Sequence, residues 1–189
     1  MKKLVFLHGA GSDKNAYSEF MHKVARHFNA DIISFDAPYK HPEKPDKYVW
    51  FHKFKNDGRR DAVLEEYKYS LKYIKEQLSY LNTEPKDIIL IGHSQGGGMA
   101  VHVGLEMDIG GVISINGDLP YNISYSKKTD TPVYWLESGQ DTYIDDNRKK
   151  SYRLILNNEN FHLLKLDNST HNEFQDDFWE IINNGIIKF

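Results

Sequence analysis

Short apolar runs alternate along this chain with longer amphipathic stretches. Leu4-Val5-Phe6-Leu7, Ile32-Ile33-Ser34-Phe35, Ile88-Ile89-Leu90-Ile91, Ile109 to Ile115, Pro132-Val133-Tyr134-Trp135-Leu136 and Phe161 to Leu166 are brief and rich in β-branched or aromatic residues. Runs of that length and composition predict buried strands. Tyr17 to Phe28 predicts a helix, because Tyr17, Phe20, Met21, Val24 and Phe28 fall on one face. Arg60 to Leu81 predicts a longer one, with Leu64, Tyr67, Leu71, Ile74, Leu78 and Leu81 recurring at three and four residues. Met99 to Leu105, Asp145 to Leu156 and Glu173 to Asn184 are the remaining helical stretches. Residues 39–59 carry Pro42, Pro45 and many charges around Tyr48, Val49, Trp50 and Phe51, and predict a long loop. Such a loop is a lid or binding wall, or a solvated excursion pinned by Trp50. Residues 121–130 predict a second loop.

Strands alternating with helices predict an α/β fold, with a mostly parallel sheet flanked by helices and residues 1–189 forming a single domain. Ligands bind at the carboxyl ends of the strands in such sheets. His8-Gly9, Asp36, Ser94, Asn116, Asp141 and His171 each follow a predicted strand, so they share one edge.

Composition narrows the classes. The 189 residues are 40% hydrophobic and 13% aromatic, as in a globular protein with a real core. Lys and Arg number 24 against 27 Asp and Glu, a net charge of −3 with no long basic block. That argues against nucleic acid or an anionic membrane surface as the main partner. With no cysteine there is no disulfide, thiolate nucleophile or zinc knuckle. The N-terminal apolar run is too short for a signal peptide, and no stretch is long enough to span a bilayer. Stable membrane insertion is therefore not expected, and the cytoplasm is the expected location. No histidine pair has metal-ligand spacing with a carboxylate, so no metal is expected.

The candidate chemistry begins at Gly92-His93-Ser94-Gln95-Gly96, between a strand and a helix. A sharp turn there pushes a serine hydroxyl clear of the backbone and needs nearly side-chain-free neighbours, which Gly92 and Gly96 supply. The helix start aims backbone N–H groups at the same place. Alone, the motif is also compatible with an ordinary glycine-rich turn. Serine needs a base, and histidine, with an ordinary pKa of about 6.5, suits the task once a carboxylate orients it. Ser94, Asp141 and His171 occur in the serine, acid, histidine order that such sheets impose. Asp118, Asp145 and Asp146 are the competing acids. His93 stands beside the nucleophile, where packing or a hydrogen bond near the turn is its expected role. The loop His8-Gly9-Ala10-Gly11-Ser12-Asp13 lacks the third glycine of a dinucleotide fingerprint and the Gly-Lys-Ser/Thr of a P-loop. It suits an oxyanion loop, or a plain tight turn.

Leu7-His8-Gly9-Ala10-Gly11, Gly92-His93-Ser94-Gln95-Gly96-Gly97, Gly117-Asp118-Leu119-Pro120, Gly139-Gln140-Asp141 and His171-Asn172-Glu173-Phe174 resemble motifs of the α/β-hydrolase superfamily. Within it they resemble the phospholipase/carboxylesterase family of small serine esterases and acyl-protein thioesterases. Asp36-Ala37-Pro38 with Val49-Trp50-Phe51 adds to the likeness. The resemblance implies nucleophile Ser94, acid Asp141 and base His171. It also implies oxyanion donors at the backbone N–H groups of Ala10 and Gln95, and an acyl pocket lined by Trp50 and Leu119. The implied activity is cofactor-free cleavage of a small-molecule carboxylic ester or thioester. The first predicted strand matches the third strand of the full fold, so the N-terminal antiparallel strands are expected to be missing. Tyr143-Ile144-Asp145 stands where the family often has a proline after the acid. Two other readings stay open: a non-catalytic α/β-hydrolase fold that binds a partner, and an amidase or peptidase using the same triad.

Overall fold

A computed structural model describes residues 1–56, 59–126, 128–143 and 159–189. The core is a six-stranded sheet in the order β10-β9-β8-β7-β1-β2. Its strands are β1 (Lys2–Leu7), β2 (Ala30–Ser34), β7 (Ile88–His93), β8 (Gly111–Ile115), β9 (Val133–Ser138) and β10 (Phe161–Leu166). Every neighbouring pair runs parallel. The chain moves outward from β1 to β2, then crosses back to β7 on the other side of β1. The order therefore reverses between β1 and β7, and a crevice opens there at the strands' carboxyl ends.

The buried runs work by two-residue alternation. Val5, Leu7, Ile88 and Leu90 face one layer, with α2 (Leu64–Ser79) and α3 (Gln95–Glu106). Leu4, Phe6, Ile89 and Ile91 face the other, with α1 (Ser18–His27) and α4 (Gln175–Asn183). The edge strands differ from the expectation of full burial. β2 is half-buried throughout, and Leu163 of β10 is 36% exposed, because an edge strand lacks a neighbour on one side.

Residues 39–59 are not a structureless loop. They hold the hairpin β3 (Tyr39–His41) with β4 (Lys44–Val49) and the start of a second, β5 (Lys53–Asn56) with β6 (Arg59–Ala62). The second hairpin takes the residues assigned to the start of the long helix. Cross-strand pairing of Lys53 with Ala62 and Asn56 with Arg59 competes with helix over that stretch, and α2 begins only at Leu64. Val63 is extended, at φ −65° and ψ 107°. Leu64 is 42% exposed and leaves the inward stripe, which consists of Tyr67, Ser70, Ile74 and Leu78. The helix expected over Asp145 to Leu156 lies outside the described residues. Among the described residues, no helix is long and apolar enough to cross a membrane.

Candidate active site

β7 delivers Ser94 to the crevice in a strained conformation. Its φ is 52° and its ψ −119°, and its N–H donates to Ile115 O at 2.9 Å. The turn is too tight for side chains. A Cβ on Gly92 would stand 2.3 Å from Gly96 O, and one on Gly96 would stand 2.2 Å from Leu7 O. α3 starts at the next residue, so the first N–H groups of that helix, Gln95 among them, have no partner within it. The Gln95 side chain does not point into the crevice. Its Oε1 accepts from Trp50 N–H and its Nε2 donates to Phe51 O, both at 2.8 Å, which fixes the helix start to the segment between the hairpins.

β9 and β10 deliver the other two groups. His171 Nδ1 lies 2.6 Å from Asp141 Oδ2, and Tyr143 N–H donates to Asp141 Oδ1 at 2.8 Å. Donation from Nδ1 leaves Nε2 as the basic nitrogen of the ring. His171 and Ser94 line the same pocket, of about 830 Å³, without a direct hydrogen bond between them. Such bonds are often open in a free enzyme and tighten around substrate. Of the acids considered, Asp118 instead pairs with Lys53, and Asp145 and Asp146 lie outside the described residues.

The carbonyl of His171 is held from two sides. His93 Nε2–H donates to it at 2.7 Å, and Asn116 Nδ2 donates at 3.0 Å. His93 is stacked on Phe174 at 5.4 Å and buried, and burial pulls its pKa down to about 4. It is thus a neutral donor at pH 7. Asn116 also binds Ser138 through both ends of its amide, at 2.9 and 2.8 Å, and so joins the ends of β8 and β9 to the His171 loop.

The glycine loop after β1 is braced from below and from the side. Buried His8 donates from Nδ1 to Gly9 O at 2.8 Å and accepts from Ala37 N–H at Nε2, at 3.0 Å. Burial lowers its pKa, in keeping with a neutral ring. Trp50 Nε1–H donates to His8 O at 2.8 Å. Gly11, at φ +72°, donates to Tyr48 O, and Ser12 O accepts from Tyr48 N–H, each at 2.9 Å. Ala10, between these anchors, lines the pocket.

Ser94, His171 and Ala10 are thus on the pocket wall, and Asp141 is behind His171. Trp50 and Leu119 are 0% and 1% exposed and pack in the core beneath the pocket instead of on its wall. The described wall also includes Tyr17, His41, Glu43, Lys44, Lys53 and Tyr143, which the sequence did not mark as pocket residues. Tyr143 stands over His171 at 5.1 Å between ring centroids. Among the described residues, no group of three His, Asp or Glu side chains is arranged to hold a metal.

The profile of a family described as Phospholipase/Carboxylesterase matches residues 1–184. No curated protein matches the sequence. Among solved structures, esterase PE8 is 22% identical, with 98% of this chain and 93% of that one aligned at a TM-score of 0.75. Acyl-protein thioesterase 2 of Zea mays is 16% identical over 98% and 94%, at 0.73. YahD, solved with malic acid, is 15% identical over 100% and 94%, at 0.77. At these identities the structural likeness speaks to the fold.

Proposed function

The chain belongs to the phospholipase/carboxylesterase family, and from that premise we propose that it is a serine hydrolase cleaving carboxylic esters or thioesters through an acyl-enzyme on Ser94. The observation that carries the reading is Ser94, strained and at a helix start, sharing a pocket with the His171 ring that Asp141 binds at 2.6 Å.

In the proposed reaction His171 Nε2 takes the proton of Ser94 as Oγ bonds to the acyl carbon. The carbonyl electrons move onto oxygen, which the N–H groups of Ala10 and Gln95 hold; one such donor is worth about 10²–10³ in turnover. Collapse of this oxyanion breaks the bond to the leaving oxygen or sulfur, which takes the proton from His171. Water then adds by the same route. His171 removes one of its protons, the oxygen bonds to the acyl carbon, and Ser94 Oγ leaves with the proton as the acid departs. Asp141 holds the ring in the Nδ1–H form and stabilises its cation. A module that only binds a partner has no use for an oriented base beside a strained serine. Ser94→Ala is expected to lower kcat on ester substrates by about 10⁴-fold or more with Tm little changed. Wild-type ester hydrolysis by that variant would refute the mechanism.

A further inference from the structure

The two hairpins contribute His41, Glu43, Lys44 and Lys53 to the wall of the pocket that Ser94 and His171 line. His41 and Lys44 close the first hairpin, opposite each other in its register. Both reach the glycine loop: a Cβ built on Gly11 would lie 3.3 Å from His41 Nε2 and 3.4 Å from Lys44 Nζ. Glu43 N–H donates to His41 Nδ1 at 3.1 Å. The proton of the neutral His41 ring is therefore on Nε2, the nitrogen next to Gly11. Lys53 enters the same wall from β5.

The acids around this wall are largely engaged. Asp13 pairs with Lys47, Asp36 with Lys14, Asp118 with Lys53, and Asp141 with His171. Glu43, exposed at the hairpin tip, is the acid on the pocket wall itself. Lys44 thus brings a positive charge, and His41 a donor, to within one residue of Ala10. Glu43 on the same wall opposes a dianion such as a phosphate monoester more than it opposes a monoanion. The apolar side chains on the described wall are Ala10, Ala16 and the rings of Tyr17 and Tyr143.

We propose that the ester substrate carries a carboxylate, held by Lys44 and His41 at the rim of the pocket that Ser94 and His171 line. This rests on the serine-hydrolase reading above and names its substrate class: esters that carry a free carboxylate besides the scissile carbonyl. The charge selects at binding, so it acts on KM more than on kcat and weakens with salt.

The test compares kcat/KM for two matched pairs at low salt. Ethyl hydrogen glutarate against its primary amide places the charge on the acyl side. Acetoxyacetate against acetoxyacetamide places it on the leaving side. The carboxylate is expected to be preferred about tenfold in at least one pair, mainly through KM. In Lys44→Ala that ratio falls to within about twofold of one, and in Lys44→Glu it inverts. Equal use of acid and amide in both pairs, or an unchanged ratio in Lys44→Ala, would overturn the proposal. Phosphonylation of Ser94 by a fluorophosphonate, which is not turned over, read by peptide mass, separates the two levels. If Ser94 is phosphonylated while neither carboxylate ester is preferred, the substrate class falls and the hydrolase reading stands. If Ser94 in folded protein is never phosphonylated, both fall.

Discussion

Ser94 and Trp50 show how single residues divide the work at the site. Ser94 accepts a φ of 52°, a conformation rarely adopted by residues with a Cβ, and the strain is stored where chemistry needs a protruding hydroxyl. Trp50 never touches the pocket, yet its Nε1–H holds His8 O and its backbone N–H holds the Gln95 side chain. It is therefore a positioning residue, fixing the loop that carries Ala10 and the helix start that carries the Gln95 N–H. Trp50→Phe keeps most of the buried ring and removes the bond to His8 O. It is expected to lower kcat about tenfold, with KM nearly constant, and to cost about 1–3 kcal/mol for the orphaned carbonyl. A KM-only effect in steady-state kinetics would argue that Trp50 supports substrate binding instead.

At the scale of elements, the sheet was the most legible part of the chain. Ile88 to Ile91 and Leu4 to Leu7 are buried on both faces, so composition alone marks them as strands. That Ser94, Asp141 and His171 meet at one edge was legible for a related reason, since each follows such a strand and parallel strands bring their carboxyl ends together. The two hairpins were not legible. β3 and β4 mix lysine, aspartate and proline without apolar alternation, and the bridge of Ser12 with Tyr48 that ties β4 to the glycine loop joins residues far apart in sequence. The long helix was expected from Arg60 and begins only at Leu64, because side-chain spacing cannot sense the cross-strand bonds between Lys53–Asn56 and Arg59–Ala62. His41, Lys44 and Lys53 were missed with those hairpins. Asn116 carried a faint signal, its place after a strand, but its three-way bonding depends on β8, β9 and the His171 loop meeting.

At the scale of the molecule, two neutral histidines are built into the interior on opposite sides of the sheet. Burial holds His93 and His102 each to about 4, below the ordinary 6.5 they regain on unfolding. Between these values the unfolded chain binds protons that the folded chain excludes. The stabilisation is therefore complete above pH 6.5 and is lost as pH falls toward 4. By pH 5 the loss is on the order of 2 kcal/mol for each histidine, or several degrees in Tm. Thermal melts at pH 7 and pH 5 are expected to show that drop, and a Tm flat between them would contradict it. The same His93 bonds the backbone of His171, so acid loosens the site and the fold together. In the proposed mechanism the strand end, the helix start and the His171–Asp141 pair together make Ser94 a nucleophile. The most direct measurement is labelling of the folded protein with a fluorophosphonate, followed by peptide mass spectrometry. The account predicts stoichiometric phosphonylation on Ser94 that falls to background in His171→Ala; a folded protein left unlabelled, or labelled elsewhere, would contradict it.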